Sequence, residues 1–525
     1  MDQIVEIENG KLRGEVRNNI VLFKGIPYGD VCDGEWRFLP PRPVKNWEGV
    51  KDCTKNGYYA VQPWGGVNKM EYFNGGHPEK FGASEEQQSE NCLCLNVVAP
   101  RNSNKKHAVV VYFHGGGFGG GNGSIVLGAD RLVEGQDIVV VGVNHRLSVF
   151  GYLYLEQIFP KYKGSGVAGI LDLVLALKWV KDNIGVFGGD PDQVTIMGES
   201  GGAAKVRCLL SMPEAKGLFK RAIIESGSEN FLKSSVERGE ASFMRDPIDA
   251  TKTARKILKD LNIDENHPEK LQEISKEEFI KVALPYMMEL SPVIDGNYLK
   301  YGNEKGFVTN EYDRSVELLI GCSEDECAID WKDICMENQT LEEALLNSEN
   351  LSPMIPVGWN DNKERMKRII KYAREHNPKH DDDEHLFWKV SSVIPFFCVG
   401  VQQHILERLD ESCAPTFVYL NRFDAPSNVN EQYRYSWHTF DLPLQFGIVR
   451  YPCCEQISLQ MMEAWGNFIK TGNPSTEKLP WKPYELRDKK VMVFDDESGM
   501  ETDPMSGWCQ AYNVCRNDKR ESKSK

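Results

Sequence analysis

Val194-Thr-Ile-Met-Gly-Glu-Ser-Gly-Gly-Ala-Ala-Lys205 decides how the rest of this chain folds. Val194 to Met197 is an apolar, strand-favouring run, Gly198-Glu-Ser-Gly-Gly202 is a glycine-flanked bend, and Ala203 to Leu210 is compatible with a helix. A serine on so tight a strand-to-helix turn sits at strained backbone angles that lift its Oγ clear of the sheet. The flanking glycines are needed because a Cβ at either place would meet neighbouring backbone. In a chain with 46 glycines the five-residue pattern alone carries little weight. Its strand on one side and helix on the other make Ser200 the candidate nucleophile.

Working upstream, Phe113-His-Gly-Gly-Gly-Phe118 ends another apolar run, Ala108 to Phe113. Consecutive glycines let backbone N–H groups converge on one point, which an acyl-transfer intermediate requires as its oxygen gains charge. Gly116 and Gly117 are the expected donors, with Gly201 as the third. Gly201 also opens a helix, whose N-terminal dipole favours a negative oxygen. The glycine run continues through Gly119-Gly-Gly121, but no Gly-Lys-Ser/Thr ending follows, which disfavours a phosphate-binding loop. His114 is expected to hold this loop rather than to do chemistry.

A serine hydroxyl needs a base, and that base needs an orienting carboxylate. Six histidines follow Ser200. His376, His380 and His385 lie in a charge-dense stretch that reads as solvated surface rather than as a metal site. His267 precedes Pro268 in a turn, and His404 lies in a helical pattern. His438 differs, because it follows the strand-like Phe417 to Leu420 in a loop, where sites of parallel sheets are built. For the acid, Gly321-Cys-Ser-Glu-Asp-Glu-Cys327 follows the strand-like Val316 to Ile320, and Glu324, Asp325 and Glu326 compete; spacing does not separate them.

Other apolar runs at Ile138 to Asn144, Ala222 to Ile224 and Val491 to Phe494 lack alternation, as strands covered on both faces do. Helical periodicity fills Leu171 to Ile184 and Gln456 to Ile469. Ile4 to Phe23 alternates around Glu8-Asn-Gly10, which predicts an antiparallel hairpin. The alternation of strand and helix predicts an α/β fold: one large, mostly parallel central sheet with helices on both faces. Residues 1–515 are expected to form one domain with a cap-like insertion at about 229–305, and 516–525 a flexible charged tail.

The net charge of −15 disfavours a nucleic-acid partner, and no run approaches the length of a membrane span. The first residues lack a secretory pattern, so a cytoplasmic location is expected. The 14 cysteines lack zinc-site spacing and are too sparse for a disulfide scaffold, so free thiols are expected, with no metal and no cofactor.

The chain resembles the type-B carboxylesterases, which include bacterial para-nitrobenzyl-type esterases, animal carboxylesterases and cholinesterases. Phe23-Lys-Gly-Ile-Pro-Tyr28, Trp36-Arg-Phe38, Glu90-Asn-Cys-Leu-Cys-Leu-Asn96, Asn144-His-Arg-Leu147, Phe187-Gly-Gly-Asp-Pro191, Val194 to Gly202 and Pro292-Val-Ile-Asp-Gly296 carry the likeness over nearly the whole length. The resemblance implies the α/β-hydrolase fold and a triad of Ser200, Glu326 and His438. It also implies a serine, Ser226, hydrogen-bonded to the acid, with Glu199 a further support beside the nucleophile. Three positions depart from the family pattern. Gly201 stands where alanine is usual and Cys327 where glycine is usual, and Cys92 has Ala60 at the place of its disulfide partner, so that bridge should be absent.

The expected reaction is hydrolysis of a small-molecule carboxylic ester through an acyl-enzyme. Thioesters, lactones or carbamates could be served by the same machinery. A non-catalytic, cholinesterase-like binding protein is disfavoured by an intact triad. Trp64, Tyr72, Phe73, Phe118 and Trp437 are candidates to line an apolar gorge.

Overall fold

The computed structural model describes residues 2–63, 87–101, 105–227, 244–300, 313–328, 340–347, 363–376, 382–409, 413–426 and 434–513. The predicted amino-terminal hairpin is a three-strand antiparallel meander, β1 (Asp2–Ile7), β2 (Gly10–Arg17) and β3 (Ile20–Pro27), with a short β4 (Val50–Asp52) beside β2. Next come β5 (Cys94–Pro100), β6 (His107–Phe113), β7 (Val139–Val143), β8 (Gly189–Glu199), β9 (Arg221–Glu225), β10 (Glu317–Ser323) and β11 (Thr416–Asn421). The two-residue strands β12 (Ala425–Pro426) and β13 (Arg434–Tyr435) pair with each other, and β14 (Lys490–Phe494) and β15 (Gly499–Thr502) finish the sheet.

Among the described residues the main sheet has 13 strands in the order β1-β2-β3-β5-β7-β6-β8-β9-β10-β11-β14-β15, with β4 off the edge of β2. From β7 through β14 every neighbouring pair is parallel, and both ends of the sheet are antiparallel except for the short parallel pairing of β4 with β2. The seven apolar runs read as doubly covered strands all fall in this parallel core. Val109, Val110, Val111, Val139, Val140 and Val141 are fully buried, as a strand with helices on both faces must be. β5 is not among the strands expected above. Asn96 interrupts its apolar run, and only the fold shows that this buried side chain accepts the Gly25 N–H at 3.0 Å.

Helices Ala168–Asn183 and Glu455–Thr471 match the expected periodic stretches. The second lays Trp465 edge-on against Tyr419 of β11, with ring centroids 5.1 Å apart. No helix among the described residues is long and apolar enough to cross a membrane.

This order sets up the site. β8, β9, β10 and β11 lie side by side and parallel, so the loops leaving their carboxyl ends open on the same edge. Ser200 follows β8, Glu326 follows β10, and His438 lies beyond β11.

Candidate active site

Ser200 stands between β8 and helix Gly201–Leu210 at φ 54°, ψ −120°, backbone angles that an L-residue keeps only where its surroundings force them. Its N–H donates to Glu225 O at 2.9 Å, which fastens the bend to β9. A Cβ on Gly198 would stand 2.3 Å from the Gly202 backbone, and one on Gly202 would stand 2.0 Å from Phe113 O. Both flanking glycines are therefore sterically obligatory here.

The glycine loop after β6 lies against this bend. Gly116 and Gly117 have φ of 81° and 59°, the left-handed region that glycine enters at no steric cost. A Cβ on Gly201 would come within 2.3 Å of Gly117 O and 2.5 Å of Gly117 N, so the three expected donors are adjacent. Among the described residues the N–H groups of Gly116, Gly117 and Gly201 donate to no protein acceptor. His114 is buried, and its Nδ1–H donates to Gly115 O at 2.9 Å, in keeping with a loop-holding part.

Of the three competing carboxylates, only Glu326 meets the imidazole. Its Oε2 accepts from His438 Nδ1, and its Oε1 accepts the Ser323 N–H at 2.7 Å. Glu324 pairs with Lys389 and, at 3.5 Å, with Arg422, while Asp325 accepts the Ser436 N–H at 3.3 Å. A parallel bridge between Asp325 and Trp437 draws the two loops together and sets His438 beside Glu326.

The other face of the imidazole meets a second carboxylate, with His438 Nε2 3.2 Å from Glu199 Oε1. No hydrogen bond joins Nε2 to Ser200 Oγ in this arrangement. Burial by itself would depress the His438 pKa, but the charges of Glu199 and Glu326 outweigh it and lift the pKa to about 9. Burial pushes Glu199 up to about 8, against the opposing pull of His438. Behind this pair Tyr419 donates its hydroxyl to Asp441 at 2.9 Å, and Trp465 donates Nε1–H to Glu225 at 2.6 Å.

Ser226 corrects one expectation. Its Oγ is buried and has no hydrogen-bond partner among the described residues, and it makes no bond to Glu326. The acid's oxygens are taken instead by His438 and the Ser323 N–H, while the Ser226 N–H donates to Gly321 O at 2.9 Å and ties β9 to β10. Cys327 lies outside the left-handed region, so glycine is not required there. Its N–H donates to Ser392 Oγ at 2.8 Å and its Sγ–H to Ser391 O at 3.4 Å. Cys92 and Ala60 are both buried, and Cys92 is a free thiol.

Trp437 packs against Phe440 with ring centroids 4.6 Å apart, and Phe118 packs edge-on against Tyr152 at 5.1 Å. Trp64, Tyr72 and Phe73 lie outside the described residues, as does His380. His376 stacks on Tyr372 and His385 on Tyr435. Among the described residues no cluster of three or more His, Cys, Asp or Glu side chains is arranged to hold a metal ion.

Sequence reasoning misses Lys205. This lysine is fully buried in helix Gly201–Leu210, and its Nζ donates to His114 O at 2.8 Å and Gly117 O at 2.9 Å. Burial draws its pKa down to about 7. The signal is present, since Lys205 is the cation nearest Ser200 in sequence, in an otherwise small and apolar helix start.

A model of the carboxylesterase family matches residues 1–511. The chain is 31% identical to a para-nitrobenzyl esterase of Bacillus subtilis, over 96% of this chain and 97% of that protein. Its fold is similar to that of a carboxylesterase of Geobacillus stearothermophilus, with TM-score 0.76 and 31% identity over 97% of this chain and 99% of the other. A second solved structure, a PNB esterase, has TM-score 0.73 and 30% identity, covering 98% of this chain and 100% of that one. With its α/β-hydrolase fold and a serine-hydrolase mechanism of ester hydrolysis, this chain belongs to the carboxylesterase family.

Proposed function

We propose that Ser200, His438 and Glu326 are the triad of this esterase, with Gly116, Gly117 and Gly201 as oxyanion donors. The observation that carries this is the bond between His438 Nδ1 and Glu326 Oε2, made by two loops on the edge where Ser200 is thrust out. Glu326 fixes the tautomer that leaves Nε2 free to accept a proton. In the resting arrangement Nε2 faces Glu199, and a turn of the ring toward Ser200 Oγ completes the catalytic contact. Such contacts commonly tighten only when substrate is bound.

Neutral His438 then takes the Ser200 proton as Oγ bonds to the ester carbonyl carbon, and the carbonyl oxygen gains charge against the three N–H groups. His438 returns the proton to the departing alcohol, and water activated by the same imidazole releases the acid. Small aryl and benzyl carboxylic esters are the first substrates to assay, in view of the para-nitrobenzyl esterase similarity.

Residues 1–515 serve as one catalytic unit, and the insertion at about 229–305 as a cap over the site. In support, a Cβ on Gly119 would stand 2.4 Å from Met287 Cε, so the 3₁₀ segment Leu284–Glu289 lies against the glycine loop. Arg37 also donates to Leu271 O and Ile274 O at 2.7 and 2.8 Å.

Ser200→Ala tests the assignment. It should abolish para-nitrophenyl acetate turnover while circular dichroism and Tm stay unchanged. Turnover persisting in the purified variant would overturn the choice of nucleophile.

A further inference from the structure

We propose that Lys205 is a positioning residue of the oxyanion loop, its buried ammonium clamping both ends of His114–Gly117 to the helix that starts at the nucleophile. The inference rests on the reading of Gly116 and Gly117 as oxyanion donors.

A lysine with no exposed surface is costly unless its charge is answered. Among the described residues no carboxylate forms an ion pair with it; two carbonyl oxygens answer the charge, His114 O at 2.8 Å and Gly117 O at 2.9 Å. Those two oxygens bracket the loop, and the carbonyls between them are held as well. Gly115 O accepts from the His114 ring at 2.9 Å, and Gly116 O accepts from the N–H groups of Gly120 at 3.0 Å and Gly119 at 3.4 Å. Every carbonyl from His114 to Gly117 therefore has a designated donor.

In a trans peptide the C=O and N–H point in opposite directions, so holding the carbonyl of one residue aims the N–H of the next. The bonds to Gly115 O and Gly116 O aim the N–H groups of Gly116 and Gly117, and Lys205 fixes the peptides on either side. Without the clamp, two successive glycines at positive φ leave this segment the softest part of the site. Other groups facing Lys205 are Glu199, Cys208, His114, His145 and the Phe118 ring, whose centroid is 5.7 Å from Nζ.

The test compares wild type with Lys205→Met, which keeps the apolar stem without its donors, and with Lys205→Arg. Three readouts are taken: kcat and KM on a para-nitrophenyl ester, Tm, and inhibition by an aryl trifluoromethyl ketone. That ketone accepts Ser200 Oγ at its carbonyl carbon, passing its π pair to oxygen and the serine proton to His438, and so mimics the charged intermediate. A folded Lys205→Met should lose about tenfold or more in kcat, with KM changed less than about threefold. Its ketone affinity should fall by the same factor as kcat/KM, and Lys205→Arg should regain part of both.

A folded Lys205→Met whose kcat and ketone affinity stay within about twofold of wild type overturns the proposal, as does a lower Tm with unchanged ketone affinity. Should that variant fail to fold, Lys205→Gln is measured and judged in the same way. An aryl phosphonate that labels wild-type Ser200, found by peptide mass, shows that the nucleophile is sound whatever Lys205 does. Failure to label Ser200 overturns the underlying reading and this inference together.

Discussion

Gly201 is packed so closely on Gly117 that a Cβ at position 201 would stand 2.3 Å from the Gly117 carbonyl oxygen and 2.5 Å from its nitrogen. Gly201 is glycine because the Gly116–Gly117 loop already occupies the space of a methyl group. Gly201→Ala must push that loop away from the serine. It should lower kcat by about 10²-fold with a modest change in KM, and cost roughly 1–3 kcal/mol of stability as an overpacked site. Steady-state kinetics and thermal unfolding measure both, and an unimpaired variant would show that the loop has slack.

The two carboxylates around His438 predict how activity follows pH. In the proposed mechanism His438 must be uncharged to accept the Ser200 proton, and Glu199 and Glu326 hold its pKa at about 9, so kcat/KM should rise as pH rises toward that value. Glu199→Gln removes one stabilising charge, which lowers the histidine pKa. The acid limb should then move to lower pH by roughly a unit or more. A limb that stays in place would mean that Glu199 exerts no charge on the base.

Three adjacent acids follow β10, but only Glu326 touches the His438 imidazole. Glu326→Gln should cost about 10³–10⁴-fold in kcat, because the wrong tautomer of His438 is then favoured. Glu324→Gln loses an ion pair with Lys389 and should destabilise the loop while leaving kcat within about tenfold of wild type. Equal losses in the two variants would refute the choice of acid.

Ser226→Ala probes a hydroxyl that reaches no partner among the described residues. With no bond to remove, the substitution should change kcat/KM by less than about threefold and stability by less than about 1 kcal/mol. A loss of about a hundredfold would show that the hydroxyl bonds the acid during turnover.

The nucleophile bend was legible because its demands are local. Strand, glycine, serine, glycine and helix are consecutive, and the steric reason for Gly198 is contact with Gly202 four residues on, although Gly202 itself is required by Phe113 O on the neighbouring strand. The doubly covered strands were legible because a buried parallel strand leaves an unbroken apolar run, whereas β5 was hidden by Asn96, whose partner Gly25 is far away in the chain. The choice among Glu324, Asp325 and Glu326 is not local; the residues alone leave it open, and the family likeness points to Glu326. In the fold, the Asp325–Trp437 bridge and Lys389 settle which carboxylate turns toward His438.

The amino-acid sequence by itself determined the kind of chemistry and the sheet that carries it, since both are written in runs a few residues long. Only the tertiary structure decided that Glu199 faces the base, that Ser226 does not reach the acid, and that Lys205 reaches back to the glycine loop. These are contacts between groups far apart in the chain or turned by the fold. Their energies depend on burial and on a few ångströms of separation, which no pattern of neighbouring residues specifies.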